Sequence, residues 1–328
     1  MRCINKWKRV LVAAGLVTIL LGSTACSVLK KDSASYQLYQ TSSDYGLASD
    51  VISPVNMLKT THLAVKNPKK SSKFNIFNVK SAAVIDVSAR KIKYEYQLFQ
   101  KVYPASTTKL LTAYIALKYG NLSDRITVST SAAAVPTGSS VAGLKAGDQI
   151  TLEDALYGLI LRSGNDCANV IAEHISGNIS KFALLMNQEA KSMGATKTHF
   201  VNPHGFPDPN HYTTTYDLYC IFSTALQNQQ FDKFISTKER SVSYKNASGK
   251  AVHVTWKSTD WYFNGQARAP EGVTVLGGKT GSSDSSGYCL VLFSKNKQNK
   301  PYITIVMGSK THSDLYRKMN QLLSAFEL

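Results

Sequence analysis

The apolar residues of this 328-residue chain change their spacing twice, and that double change restricts the fold more than any single motif. Short apolar runs at Ala82–Val87 and Ile92–Tyr96 flank the polar turn Ser88-Ala89-Arg90-Lys91, so ordered structure is expected to begin near Phe74 with a β-hairpin. Helical spacing follows. From Thr107 to Tyr119, Leu110, Leu111, Tyr114, Ile115 and Leu117 recur every three to four residues until Gly120 and Asn121, which predicts a mostly apolar, central helix. A second helix starts at the capping pattern Thr151-Leu152-Glu153-Asp154, buries Leu152, Ala155, Leu156, Leu159 and Ile160, and ends at Ser163-Gly164. Asp166 is expected to cap the next, with Ala168, Ile171, Ala172 and Ile175 inside, and Ser180–Met193 makes another, ended by Gly194. The stretch from 121 to about 230 thus reads as helical. Strand patterns return at Val273–Leu276, Tyr288–Phe293 and Tyr302–Met307, with a basic tip at Lys295–Lys300 and a closing helix from about Ser313. The order implies an α/β body interrupted by a helical subdomain.

The first 25 residues follow a different logic. Arg2, Lys6, Lys8 and Arg9 precede an unbroken apolar run from Val10 to Leu21, then Gly22, Ser23, Thr24 and Ala25, which is the order of a secretory signal peptide. Twelve apolar residues fall short of the roughly 20 that a spanning helix needs. Cys26 stands where a bacterial lipoprotein carries the thiol that receives diacylglycerol. Ser23 occupies a place usually held by Leu, Val or Ile in such signals, and Ser23-x-Ala25 also suits cleavage without lipid, so a lipid at Cys26, a free N-terminus and an uncleaved anchor all stay open. Residues 26–73 are rich in Ser, Thr and Lys and read as a tether with a root-mean-square reach of order 40 Å.

Net charge then acquires a setting. The formal charge is +17, and about +13 remains once the leader's four cations are removed, so a polyanionic neighbourhood is expected. Export argues against nucleic acid and favours anionic wall polymers and lipid headgroups as surroundings. Cys167, Cys220 and Cys289 are odd in number and lie among apolar residues, so they read as buried thiols.

The chain has no Gly-x-Ser-x-Gly elbow, no Gly-rich phosphate loop and no zinc spacing among its seven His and five Cys, so no metal or cofactor is expected. Ser-x-x-Lys occurs four times, at Ser27/Lys30, Ser88/Lys91, Ser106/Lys109 and Ser294/Lys297, and only Ser106/Lys109 opens an apolar helix. There Lys109 lies one turn on, within reach of the Ser106 hydroxyl, and the helix N-terminus favours the anion formed when that serine attacks a carbonyl. An N-capping serine beside a solvated lysine is the structural alternative. Ser163-Gly164-Asn165 sits in a break between two helices and can project both polar side chains, although Ser176-Gly177-Asn178 has the same form at a helix exit. Lys279-Thr280-Gly281 follows a strand and two glycines; it offers backbone for pairing, a charge, a hydroxyl and close approach, or else a turn.

In this order the three elements resemble the serine-type D-alanyl-D-alanine carboxypeptidases, the low-molecular-mass penicillin-binding proteins. The resemblance is carried by Pro104-Ala105-Ser106-Thr107-Thr108-Lys109, Gly143-Leu144-Lys145-Ala146-Gly147-Asp148, Leu161-Arg162-Ser163-Gly164-Asn165-Asp166, the loop Thr198–Tyr212, Gly278-Lys279-Thr280-Gly281 and Gly287-Tyr288-Cys289-Leu290-Val291. It covers about residue 80 to the end. It implies a β-lactamase-like fold, an antiparallel sheet packed with helices plus a mainly helical subdomain, and a catalytic domain over 74–328.

The resemblance also implies roles. Ser106 would be acylated with Lys109 as its base, Ser163 would relay a proton to the leaving amine, and Asn165 would hold the substrate amide. Lys279 and Thr280 would face the terminal carboxylate beside Gly281, and the amides of Ser106 and Ser282 would form the oxyanion hole. Lys310 would replace an arginine found in many relatives. The implied partners are a peptidoglycan stem peptide ending in D-Ala-D-Ala, and β-lactams as inhibitors. The runner-up is a class A β-lactamase, whose Glu-x-x-Leu-Asn segment is absent between Ser163 and Lys279, where Glu189 and Glu239 lack that context. A non-catalytic penicillin-sensing or wall-binding lipoprotein is the third reading. His204 and His211 invite a metal or Ser-His role, but Pro203, Pro207 and Pro209 favour loop shaping, and Asp208 and Asp217 read as turn and cap residues.

Overall fold

The structure is a computed structural model that describes Ile76 and residues 78–326. The leader, Cys26, the tether and Phe74 lie outside the described residues.

The hairpin expected after residue 80 is present as β1 (Ser81–Asp86) and β2 (Lys91–Tyr96). A 3-10 turn (Ala105–Thr108) then leads into α1 (Lys109–Tyr119). Next come β3 (Arg125–Thr127), α2 (Thr130–Ala133), β4 (Gln149–Thr151), α3 (Leu152–Leu161), α4 (Asn165–Ser176), α5 (Ile179–Ser192), α6 (Thr215–Ala225) and α7 (Gln229–Ser236). The chain continues through β5 (Glu239–Lys245), β6 (Ala251–Lys257), α8 (Trp261–Asn264), β7 (Thr274–Ser283), β8 (Gly287–Lys295), β9 (Pro301–Ser309) and α9 (His312–Phe326).

Five strands form one antiparallel sheet in the order β2-β1-β9-β8-β7. Its two faces are both covered. Ala83, Ile85, Cys289, Val291, Ile303 and Ile305 point into the core shared with the helical side, while Ala82, Val84, Leu290, Leu292 and Val306 point into the core under α9. Burial on alternate faces explains why these strands read as continuous apolar runs and not as a polar-apolar alternation. Each fully buried aliphatic side chain here contributes about 1.5–3 kcal/mol. On the helical side α1 is touched by α3, α4, α5, α6 and α7, so an apolar residue is useful on almost every face of it.

Two expectations need correction. Strand structure returns before Val273: the short β3 and β4 lie within the stretch read as helical, and from Glu239 β5 and β6 form a hairpin that joins them in a second antiparallel sheet, order β3-β4-β5-β6. Only Val242 and Trp256 of this hairpin are buried, so most of its residues are polar or solvent-facing. Asp166 does not cap α4 either; Gly164 holds that position, and the Asp166 carboxylate serves a loop. Two other helix ends fall where the sequence places them. Thr151 Oγ1 accepts from the Asp154 amide at 3.1 Å, and Gly177 ends α4 in the left-handed region at φ 80°. Cys167, Cys220 and Cys289 are free and buried.

Candidate active site

The cleft is assembled from three stretches far apart in sequence: the 3-10 turn before α1, the α3–α4 break, and β7 at the edge of the large sheet. Ser106 sits in the 3-10 turn, and the preceding Ala105 adopts φ 47°, a left-handed conformation uncommon for a residue with a side chain. Such strain persists only where the surroundings impose it. The loop at Gly205 packs closely against Ala105: Gly205 has φ 85°, and a Cβ on it would collide with the Ala105 carbonyl oxygen. That close approach brings the His204 carbonyl to Lys109.

Lys109 is fully buried. Its Nζ donates to Asn165 Oδ1 at 2.7 Å and to the His204 carbonyl at 2.8 Å, and lies 3.0 Å from Ser106 Oγ. Burial, reinforced by the nearby Lys279 cation, pushes the Lys109 pKa well below the ordinary lysine range, and Asp166 only partly offsets this. In the neutral amine two protons satisfy the two carbonyl acceptors, and the lone pair faces the Ser106 hydroxyl. A serine beside such an amine can be deprotonated as it attacks a carbonyl.

Across the cleft, Ser163 is 6% exposed and held at φ 55° between α3 and α4. Lys279 Nζ donates to Ser163 Oγ at 3.0 Å and to the Thr280 carbonyl at 2.9 Å. Burial lowers the Lys279 pKa to about 7, with Asp260 opposing the shift. Because Ser163 Oγ accepts from Lys279, its own proton is free to move into the cleft. Asn165 has both ends engaged, since its Nδ2 donates to Ser139 Oγ at 3.0 Å while its Oδ1 accepts from Lys109.

Lys279, Thr280 and Gly281 lie inside β7, which runs unbroken from Thr274 to Ser283, and not after a strand that stops at Leu276. Gly281 packs closely there: a Cβ would sit 3.0 Å from the Ser106 nitrogen and 3.1 Å from the Pro104 oxygen. The bare backbone of β7 thus packs directly on the Ser106 turn, with Ser282 next along the strand and exposed. The structure therefore gathers Ser106, Lys109, Ser163, Asn165, Lys279, Thr280 and Gly281 around one cleft. Lys310 is exposed, one residue beyond β9, whose Ser309 pairs with Tyr288 of β8.

The two histidines shape the loop. His211 Nδ1 accepts from the Val201 amide at 3.1 Å, so its proton is on Nε2, which meets Thr108 Oγ1 at 2.9 Å. His204 Nδ1 accepts from the Phe206 amide at 3.0 Å. Burial lowers both rings to pKa values of about 3, which keeps them neutral. Among the described residues no three His, Cys, Asp or Glu side chains gather as a metal site. Asp208 Oδ1 accepts from the Asn210 amide at 2.7 Å in a turn, and Thr214, not Asp217, caps α6.

Sequence reasoning missed the residues that hold this cleft. Asp166, 1% exposed, accepts from the amides of Ala142, Gly143, Leu144 and Cys167 at 2.8–3.0 Å, which pins the 139–144 loop beside Asn165. The polar pair Ser139-Ser140 in a Gly- and Pro-containing loop was the one available signal. The His204 carbonyl had none, being main chain.

This chain matches the D-alanyl-D-alanine carboxypeptidase family, peptidase S11, over residues 67–311. It is 30% identical over 247 residues to the D-alanyl-D-alanine carboxypeptidase DacF of Bacillus subtilis, covering 74% of this chain and 61% of that protein. It is 31% identical over 251 residues to DacC of Escherichia coli, covering 74% of this chain and 59% of that one. The chain thus spans about three fifths of the length of these curated relatives. Its fold superposes on the crystal structure of the Streptomyces K15 DD-transpeptidase with a TM-score of 0.70 at 26% identity, covering 76% of this chain and 97% of that one. Since the family match runs through the Ser106 turn, the α3–α4 break and β7 alike, the chain belongs to the D-alanyl-D-alanine carboxypeptidase family, peptidase S11.

Proposed function

We propose that this chain is a serine D-Ala-D-Ala carboxypeptidase that removes the terminal D-alanine from peptidoglycan stem peptides through an acyl-enzyme on Ser106. The observation that carries the reading is the buried Lys109 amine 3.0 Å from Ser106 Oγ with both its other neighbours pure acceptors. Ser106 Oγ attacks the carbonyl of the penultimate D-alanine as Lys109 Nζ takes its proton. The amides of Ser106 and Ser282 receive the oxyanion; losing one such donor costs about 2.7–4 kcal/mol. As the peptide bond breaks, Ser163 passes its proton to the leaving amine of D-alanine. Lys279 and Thr280 hold the terminal carboxylate, and Asn165 the substrate amide. Water then cleaves the ester and frees Ser106.

A β-lactam opens on the same serine. Glu189 is engaged with Lys118 at 2.7 Å, and Glu239 is exposed beside Lys257, so neither supplies the carboxylate that speeds deacylation in a class A β-lactamase. A long-lived penicilloyl-enzyme follows. The leader, the Cys26 context and the basic tether support export, a lipid anchor on the outer face of the membrane, and a catalytic domain over 74–328 working within the wall.

The test is to incubate the protein with a pentapeptide ending in D-Ala-D-Ala and assay free D-alanine beside Ser106→Ala, with intact-mass analysis after penicillin. Release by the wild type and a stable adduct absent from the variant are expected. Penicillin labelling with no release would favour a sensor, and sustained nitrocefin turnover a β-lactamase.

A further inference from the structure

The loop between β6 and α8 carries no recognised motif, yet it reaches β7 at the residue on which carboxylate binding depends. Thr259 Oγ1 lies 2.8 Å from Thr280 Oγ1. Thr280 is 7% exposed, so few directions are open to its hydroxyl. Thr259 itself is held in place from its C-terminal side. The next residue, Asp260, is 3% exposed; its Oδ1 accepts from the Tyr262 amide at 3.0 Å and from Tyr316 Oη at 3.1 Å. Tyr316 Oη in turn accepts from the Trp261 amide at 2.8 Å, and the Trp261 ring stacks on Tyr316 at 5.0 Å and 11°. The Asp260 amide donates to Ser258 Oγ at 3.1 Å. Helix α9 and α8 together therefore fix the backbone from which the Thr259 hydroxyl projects.

A carboxylate can only accept hydrogen bonds. When one docks against Thr280, the Thr280 proton must turn toward it, and the contact with Thr259 then has one consistent polarity. We propose that Thr259 is a positioning residue for the substrate's terminal carboxylate: its hydroxyl donates to Thr280 Oγ1 and thereby commits the Thr280 proton to the ligand. This role rests on the carboxypeptidase reading. A donor chain of this kind also polarises the bond it supports, which strengthens the contact to the anion.

The experiment compares a peptide ending in D-Ala-D-Ala with the same peptide ending in D-Ala-D-alaninamide, on wild type, Thr259→Val and Thr259→Ser. Thr259→Val should raise KM for the acid about five- to tenfold with little change in kcat, and raise it for the amide by less than half that factor. Thr259→Ser should restore discrimination. Should Thr259→Val fold poorly, Thr259→Ala against Thr259→Ser reads the same difference. Equal factors on acid and amide, or a KM for the acid within about 1.5-fold of wild type, would overturn the role. A wild type that releases no D-alanine from the acid removes the carboxypeptidase reading and this role with it, whereas failure of the role alone leaves an active wild type.

Discussion

Lys109 and Lys279 are equally buried, at 0% and 1% exposure, but the atoms around them differ in kind. Lys109 faces two carbonyl oxygens that must be given protons and one hydroxyl that can give its own. Lys279 faces one carbonyl and one hydroxyl, with the Asp260 carboxylate within electrostatic range. Each lysine has a buried acid nearby, Asp166 for the first and Asp260 for the second, and neither acid forms a salt bridge with its lysine. Lys109 also feels the Lys279 cation, and its pKa falls well below the usual range, whereas Lys279 settles at about 7. Burial alone therefore does not decide what a lysine does. The charges around it separate the two: at Lys109 the Lys279 cation adds to the effect of burial, while at Lys279 the Asp260 carboxylate opposes it, which leaves one amine a base and the other a cation for part of the working pH range.

The strongest way to break this comparison is to exchange basicity for permanent charge. Lys109→Arg cannot accept a proton, so penicillin acylation of Ser106 should fall by about 10²–10⁴, while Lys279→Arg, which keeps its cation, should lose only about tenfold. Stopped-flow acylation rates measure both, and similar losses in the two variants would show that the lysines share one task.

A smaller effect concerns the acids. Asp166→Asn turns a donor toward the Gly143 and Leu144 amides or the Ala142 and Cys167 amides, so unfolding free energy in urea should drop by about 2–4 kcal/mol. A loss below about 0.5 kcal/mol would mean that the 139–144 loop does not depend on that carboxylate.

The smallest effect is a pH dependence. The folded Lys279 pKa is about 7, below the ordinary lysine value, so between about 7 and 10.4 the unfolded chain binds more protons than the folded one. Stability contributed by this group should rise across that window, and Lys279→Met should flatten the rise in thermal melts. Over the same range the cation that attracts carboxylate is lost, so KM for the acid peptide should climb as pH passes about 7. A KM that is flat from pH 6 to 9 would show that carboxylate binding does not draw on the Lys279 charge.

Much of the cleft was legible in the chain because its chemistry is local. Ser106 and Lys109 are one turn apart, Ser163 and Asn165 bracket a helix break, and Lys279, Thr280 and Gly281 are consecutive. What stayed hidden acts across long separations or through the main chain. The His204 carbonyl is 95 residues from Lys109, and Thr259 meets Thr280 from a loop with no distinguishing composition. The β5–β6 hairpin escaped for a different reason. Its residues Val252, Val254 and Trp256 do alternate, but its partner β5 buries only Val242, and a mostly exposed strand leaves little hydrophobic pattern to read.

By itself the sequence determined the alternation of strand and helix, the helix ends at Thr151, Gly177 and Gly194, and the three polar elements in their order, because caps, periods and motif spacings are properties of neighbouring residues. Only the tertiary structure decided that β7 passes its glycine backbone against the Ser106 turn, that Gly205 packs on the Ala105 carbonyl, and that Lys109 meets two carbonyls while Lys279 meets a hydroxyl. Those are packing distances between distant segments, and packing is settled by the whole core at once.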